Sequence, residues 1–437
     1  MLTTIKNAFK IKDIRNKLLF TLAMLVVIRL GSQLPVPGVD RDFFNNWYNA
    51  NIGGAGSFFD AITGGSFLNM SILALNISPY ITSSIIMQLL TIAIPALEEM
   101  QKDGEDGRKK IASITRYVTV ILALIQATAM SVGFGNQGLL QEYNALNVIT
   151  CIVALTAGSA FLMWIGERIT ENGVGNGISI VLVINIISRL PQDLAMLFEQ
   201  FVFGKAPATA ILAVVIIFAI IILMVVLVII LNAGVRKIPV QYAKKVQGRK
   251  MVGGQTSNIP LKINTAGVIP IIFASSLMQT PLVLCSLFGY SGEGFWGEVL
   301  KCLNSGNWCN PKQPIYSIGL VVYILLTIFF AYFYTSVTFN PMMIADNMKK
   351  QGGFIPGIRP GKPTSDYLNS VLDRIIFIGV IGLIIVGVLP FFFNGVFGAS
   401  VSFGGTSLII IVSVILETVK QVESQMLVRN YTGFLND

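Results

Sequence analysis

Long apolar runs constrain the fold of this chain more than any other sequence feature. A helix needs roughly 17–25 apolar residues to cross the hydrocarbon core of a bilayer. Only 12% of the residues are charged and 54% are hydrophobic, whereas a soluble domain has about 25% charged residues. The sequence predicts an all-α membrane protein with ten transmembrane helices, at 18–34, 72–94, 113–133, 147–166, 177–196, 208–232, 265–288, 315–338, 375–393 and 406–428.

Basic residues predict the orientation of these spans. If the chain starts in the cytoplasm and the spans alternate in direction, 25 of the 31 Lys and Arg residues lie on the cytoplasmic side. An excess of this kind is typical of cytoplasmic loops. The basic segment 6–17 leads into the first run without a small-residue cleavage site behind it, so we expect that span to be retained. Both termini are expected in the cytoplasm.

The topology predicts two halves, residues 1–200 and 201–437, which separate after the fifth span. The first half starts from the cytoplasmic side and the second from outside, so a structural repeat would have inverted topology. Transporters and channels use such repeats to build a path at the repeat interface. The halves show no strong internal sequence similarity, and the prediction rests on topology alone.

Three segments between the spans are unusual. Residues 53–70 are too short and glycine-rich to span but apolar enough to fold back as a re-entrant half-helix, with an ordinary external loop as the alternative. Residues 233–264 contain seven cations and no carboxylate, which suits a polyanionic partner such as RNA phosphate or an acidic protein face. Lipid headgroups are the rival partner. Residues 339–374 centre on GGFIPGIRPGKPT, which favours a stiff exposed turn.

The residues inside the spans argue against two other classes of protein. The chain has no histidine, so the common nucleophile–base pairs of an enzyme are missing, and neither a metal site nor a cofactor is predicted. The run NGVGNGIS at 172–179 follows a span and lacks the lysine of a phosphate-binding loop, so we expect its glycines to start the fifth helix abruptly. A secondary transporter usually has an ionisable residue near the midplane. Arg29, near a span end, is the candidate that we identify.

The four cysteines leave one question open. Cys302 and Cys309 share a loop that the topology places outside, where a disulfide is compatible with the environment. Two unpaired thiols are an equally acceptable interpretation.

Specific blocks resemble one known family. They follow one another over nearly the whole chain: PVPGVD, SPYITSSIIMQLL, DGEDGRKKI, FLMWIGERITENGVGNGISI, YAKKVQGRK, PLKINTAGVIPIIFASS, FNPMMIADNMKKQGGFIPGIRPGKPT and FGGTSLII. In these blocks the chain is similar to the SecY family, the central subunits of bacterial protein-translocation channels. The resemblance implies a conduit for unfolded polypeptide that hydrolyses nothing itself and lies in the bacterial cytoplasmic membrane.

The resemblance also implies site residues, position by position. A constriction ring would consist of Ile77, Ile81, Ile178, Leu182, Ile272 and Ile410. A plug over residues 57–70 would include Ser57, Phe58, Phe59, Ile62 and Phe67. A lateral gate would lie between spans two and three and spans seven and eight, with Gln88 and Asn264 in its polar cluster. Docking sites would include Arg236, Lys237, Lys244, Lys245, Arg249, Lys250 and Arg359.

The partners implied by the resemblance are of several kinds. They are small membrane subunits of the SecE and SecG types, the SecA motor, the ribosome, an unfolded preprotein with its signal sequence, and membrane lipid. Energy would come from SecA, from translation or from the proton-motive force. A ring of branched apolar side chains would exclude ions by dewetting when empty, without gripping a particular sequence.

Overall fold

The structure, a computed structural model, describes residues 9–44, 46, 63–203, 207–242, 245–247, 250–252, 256–287, 294–311, 313–397 and 405–433. Its main helices are α1 (Lys12–Gly31), α2 (Ser78–Ala93), α3 (Pro95–Lys102), α4 (Glu105–Phe134), α5 (Ala145–Asn172), α6 (Gly177–Phe201), α7 (Pro207–Ala233), α8 (Ile269–Leu287), α9 (Gly294–Leu303), α10 (Ile318–Thr338), α11 (Pro341–Lys350), α12 (Lys362–Phe397) and α13 (Gly405–Gly433). The strands are β1 (Val235–Tyr242), β2 (Lys245–Gln247), β3 (Lys250–Val252), β4 (Thr256–Lys262) and β5 (Gly353–Phe354).

The protein is mostly helical, and each predicted span overlaps one helix. Within the described ranges, six helical segments are long and apolar enough to cross a membrane, or seven if the bent pair α2 and α3 counts as one span. α1 and α13 are not among them, and both contain several charged residues. The described apolar part of α8, Ile269–Met278, is short. The arrangement of ten spans therefore stays a prediction.

The second span differs from its sequence prediction. Helix α2 begins at Ser78 rather than near residue 72, and residues 72–77 form turns. Pro79 lies in the first turn of α2, where its missing N–H disturbs no helical hydrogen bond. Pro79 therefore does not kink the segment between Ile77 and Ile81. The bend lies instead at the other end, where α2 and α3 meet at 106°.

Two large apolar cores lie at different places along the chain, and a few helix contacts connect them. Phe44, Met70 and Phe134 belong to the first core, and Ile271 and Tyr323 to the second, which also contains Leu197 of the predicted first half. Helix α6 packs against α7 and α13, and α4 packs against α8. A third apolar cluster contains residues from both halves and is described below.

The two long basic loops form a single structural unit. Strand β1 pairs antiparallel with β4 and, on its other side, with β5 from the second loop. Ile238 and Val240 alternate with exposed residues along β1, and pack with Met348, Ile355 and Leu368 in one core. Apolar residues at every second position bury one face of a strand. Residues 233–264 and 339–374 are thus joined through a shared sheet and core.

A small folded segment precedes α10. The indole N–H of the buried Trp308 donates to the carbonyl oxygen of Cys302 at 2.7 Å. The side chains of Lys301 and Tyr316 donate to Glu298, which lowers the pKa of that carboxyl group. Cys302 and Cys309 are free thiols in the structure.

Candidate functional site

Six side chains that are far apart in sequence come together in one apolar cluster. Ile77, Leu182 and Ile410 are buried in it, and the partly buried Ile81, Ile178 and Ile272 pack against it. These residues belong to α2, α6, α8, α13 and the turn before α2. All six predicted ring residues are therefore members of a single cluster at the contact between the halves.

The α2 contribution begins just outside the helix. Ile77 is the N-cap residue, and its carbonyl oxygen accepts a hydrogen bond from the Ile81 N–H at 3.0 Å. Ile77 is fully buried, Ile81 and Ser84 are partly exposed, and Gln88 is exposed. Exposure therefore increases along α2 from the apolar cluster towards α3.

The α6 contribution depends on glycine and an asparagine cap. A Cβ atom on Gly177 would lie 1.9 Å from the carbonyl oxygen of Gly166 on α5, so the helices approach with no room for a side chain. The Asn176 side chain accepts hydrogen bonds from the backbone N–H groups of Ile178 and Ser179. As the sequence predicts, these glycines allow α6 to start within packed protein, and Ile178 lies in its first turn.

The contribution of the second half comes from two helices. Ile272 is near the start of α8, and Ile410 is near the start of α13. Ile411 and Val414 of α13 belong to the same cluster, as does Val268 just before α8. These members from the second half are all branched apolar side chains.

Most of the predicted plug falls outside the described residues. Ser57, Phe58, Phe59 and Ile62 cannot be placed, whereas Phe67 is buried against Phe44 with ring centroids 5.4 Å apart. Residues 64–70 form turns after the helical Thr63, and the rest of the predicted re-entrant half-helix lies outside the described residues. Phe67 belongs to the first core.

A buried polar network beside this segment was missed by sequence reasoning. Asn185 Nδ2 donates to Asn76 Oδ1 at 3.1 Å, and Ser159 Oγ donates to the Asn76 carbonyl oxygen at 3.0 Å. The three residues are at most 2% exposed. The available signal was an amide side chain in each of two apolar stretches, ALNIS and VINII, because buried polar groups in a membrane need partners.

Ionisable residues inside the fifth span were also missed. Arg29 was identified as the candidate within a span, but Arg189 and Asp193 lie within α6, with Arg189 Nε 3.7 Å from Asp193 Oδ1. Asp193 is fully buried. The Arg29 guanidinium donates to the Gly64 carbonyl oxygen at 3.5 Å.

The two predicted gate residues have different surroundings. Gln88 is exposed on α2, while the mostly buried Asn264 donates from Nδ2 to Asn232 Oδ1 at 3.1 Å. Ser83 Oγ of α2 donates to the Thr115 carbonyl oxygen of α4 at 2.8 Å, which holds these helices together. Phe273 of α8 stacks on Phe330 of α10 with centroids 5.1 Å apart.

The predicted docking residues that are described lie on the unit formed by the basic loops. Arg236 and Lys237 are exposed on β1, and Lys245 and Lys250 are on the β2–β3 hairpin. Arg359 is exposed between β5 and α12, and its carbonyl oxygen accepts from Thr364 Oγ1 at 2.8 Å. Lys244 and Arg249 are outside the described residues.

Comparison with known proteins identifies similar sequences and folds. A family model described as SecY matches residues 71–419. The protein translocase subunit SecY of Halalkalibacterium halodurans is 43% identical over 442 residues, with all of both chains covered. A solved structure titled "The structure of a protein conducting channel" has a TM-score of 0.62 at 19% identity, over 94% of this chain and 92% of that chain. A second solved structure, "Sec61 in the Canine ribosome-channel complex from the endoplasmic reticulum", has a TM-score of 0.60 at 17% identity, over 94% of this chain and 92% of that chain.

Proposed function

The chain belongs to the SecY family, and we propose that it forms the pore through which unfolded secretory polypeptides cross the cytoplasmic membrane and from which membrane proteins enter the lipid. It is a multi-pass membrane protein and a protein-translocation channel subunit, not a catalytic enzyme. The finer assignments below rest on the described geometry together with the family resemblance.

The apolar cluster carries this proposal. Six branched side chains from both halves meet there, and three of them are fully or nearly fully buried: Ile77, Leu182 and Ile410. A constriction of branched apolar groups gates by dewetting, so it blocks ions while the channel rests. Separation of the two halves would open it for a chain of any sequence, because the six ring side chains are all apolar and grip no particular sequence.

The helix contacts support an opening on one side. Helices α6 and α7 are consecutive and in contact, so we assign the hinge to that side. The contact of α4 with α8 is the other candidate seam, and the pairs α2–α4 and α8–α10 would be its two walls. Gln88 and Asn264 are assigned to the polar part of this lateral gate, with signal sequences as its ligands.

The joined basic loops are proposed as the docking surface for the SecA motor and the ribosome. Arg236, Lys237 and Arg359 are exposed there, and cations suit the phosphates of RNA or an acidic protein face. One of the similar structures is a ribosome-channel complex, by its title. The SecE-type and SecG-type subunits are proposed as membrane partners. Helix α7, whose apolar residues are largely exposed, offers surface to such subunits or to lipid.

The remaining proposals concern orientation and energy. The distribution of Lys and Arg supports cytoplasmic termini, which places the basic loops in the cytoplasm and residues 63–70 on the outer side. The plug is proposed to occupy 57–70 and the two halves to be residues 1–200 and 201–437. The energy source is proposed to be SecA, translation or the proton-motive force.

Site-specific crosslinking tests the pore. A photoreactive residue at position 81 should form an adduct with a secretory chain that is stalled during export. Position 125 on α4 is the control, because Ile125 is 56% exposed on an apolar helix surface and should face lipid. Adducts from position 81 alone support a central path. Adducts from position 125 alone would contradict it, and a secondary transporter would give none from either position.

A further inference from the structure

We propose that Asn185 works as a latch that couples the glycine turn at Gly64 to the ring residue Ile77, so that the two are released together. This inference rests on the proposed function. The latch comprises Gly64, Asn76, Ser159 and Asn185, all within the described residues. Three features carry the inference: the contact of the turn with Asn185, the hydrogen bonds of Asn76, and the position of Asn76 next to Ile77.

The glycine turn rests directly on the backbone of Asn185. Gly64 has a φ of +64°, and a Cβ atom there would lie 2.7 Å from the Asn185 carbonyl oxygen and 2.9 Å from its Cα. Arg29 donates to the Gly64 carbonyl oxygen, and a Cβ atom on Gly65 would lie 3.5 Å from Arg189 Nη1. The turn is therefore in close contact with α6 and bonded to α1, and no side chain fits at position 64.

The side chain of the same Asn185 holds the residue before Ile77. Asn76 has a φ of +51°, a left-handed conformation that asparagine tolerates better than most residues. The amide of Asn185 donates to its side chain at 3.1 Å, and Ser159 donates to its carbonyl oxygen at 3.0 Å. Asn76 is 1% exposed. Because buried polar groups are costly to leave unpaired, these bonds favour one position for Asn76 and for Ile77 beside it.

Coupling follows because one residue contacts both segments. Gly64 and Ile77 are 13 positions apart, yet both are tied to Asn185. Gly64 touches the Asn185 backbone, and Ile77 directly follows Asn76, which accepts a hydrogen bond from the Asn185 side chain. Gly158 adds a third constraint, since a Cβ atom there would lie 2.0 Å from the Ile72 carbonyl oxygen. A shift of the turn that moves Asn185 would also disturb Asn76. Conversely, a displacement of Asn76 would remove the acceptor of the Asn185 side-chain amide. Asn76 and Asn185 are thus positioning residues for the ring.

The test measures the exposure of position 77 after changes elsewhere. The full-length channel carries Ile77→Cys as its only thiol, with Cys151 replaced by alanine and Cys285, Cys302 and Cys309 by serine, and is treated from outside with a charged thiol reagent. Asn185→Leu should raise the modification rate about tenfold, which corresponds to a change of about 1.4 kcal/mol in the free-energy difference between the closed and the open form. Gly64→Ala should raise it similarly, although the change is remote from position 77.

Matched variants separate the latch from general damage. Gly104 has a φ of +79° and open space around it, so Gly104→Ala introduces backbone strain without a contact and should leave the rate unchanged. Ser159→Ala removes one bond to Asn76 and should give a smaller rise, whereas Ser131→Ala, at an equally buried serine on α4, should give none. The modification rate of the double variant Asn185→Leu and Gly64→Ala should be no higher than that of either single variant, because both substitutions break the same coupling.

The outcomes distinguish the latch from the channel assignment. Wild-type rates in correctly inserted Asn185→Leu and Gly64→Ala, or fully additive rates in the double variant, would overturn the latch. If the strongest variants do not accumulate, the Ser159→Ala and Ser131→Ala pair decides, and equal rates in that pair would overturn it. Failure of the pore proposal would be seen separately, as absence of adducts from position 81 in the unmodified channel.

Discussion

Replacement of Gly177 by alanine tests whether the close approach of α5 and α6 positions Ile178 in the apolar cluster. In the structure, the new Cβ atom would lie 1.9 Å from the Gly166 carbonyl oxygen and 2.8 Å from the Ile169 Cβ. The nearer atom is backbone, so a change of side-chain rotamer cannot relieve the overlap. Helix α6 has to move away from α5 at its first turn.

The size of the effect follows from these distances. An ordinary contact is 3.4–4 Å, so the start of α6 must move by about 1.5 Å, and overpacking of this kind costs about 1–3 kcal/mol. Radial gaps of about 0.5–1 Å already remove a quarter to a half of the dispersion energy between touching atoms. Ile178 follows Gly177 directly, and we therefore expect both lower stability and a leaking resting channel.

Two assays on purified, reconstituted protein measure these effects. Denaturant titration should give a free energy of unfolding lower by about 1–3 kcal/mol, and planar-bilayer recordings should show a higher resting ion conductance. The control is Gly387→Ala in α12, where a Cβ atom would meet its nearest neighbour at 3.5 Å. That change should be neutral or stabilising by up to about 1 kcal/mol, since alanine favours helix. Unchanged stability and conductance in Gly177→Ala would refute the reasoning.

Two further predictions concern the ring and the docking surface. Replacement of both Ile81 and Ile178 with glycine should raise the resting ion conductance in planar bilayers, because the apolar closure loses two of its members; an unchanged conductance would contradict the ring assignment. Reversal of the exposed Arg359 to glutamate should abolish SecA-dependent export. The protein should still insert, because the hydrogen bond that holds the turn runs from Thr364 to the Arg359 backbone carbonyl and does not involve the guanidinium. Lys362→Glu is the matched charge reversal, and equal loss of export in both variants would indicate a general charge effect rather than a specific contact.

Local sequence features predicted the location of the apolar helices but not the five strands in the basic loops. A helix lies at each predicted span, because twenty apolar residues in a row favour helix in lipid wherever they occur. The glycines at 172–179 predicted an abrupt start for α6, and the prolines and glycines around Arg359 predicted an exposed turn. Each of these properties depends on neighbours within a few residues of the chain.

The six ring positions could be selected only by family resemblance, because an isoleucine in an apolar helix has the same local signal whether it meets lipid, a core or a pore. The start of α2 was predicted several residues early, since the hydropathy of 72–77 does not reveal that Asn76 adopts a left-handed conformation held by α5 and α6. The polar network was missed for the same reason. Its partners are 83 and 109 residues from Asn76 along the chain.

By itself, then, the sequence determined a helical membrane protein, the location of its helices and its basic loops, because hydrophobicity and backbone preference act locally. The tertiary structure alone decided that Ile77, Ile178 and Ile410 share one cluster, that β5 joins two basic loops, and that Asn185 touches both Gly64 and Asn76. These contacts depend on helix packing between distant segments, where the absence of a single Cβ atom at Gly64 or Gly177 permits an approach that composition does not reveal.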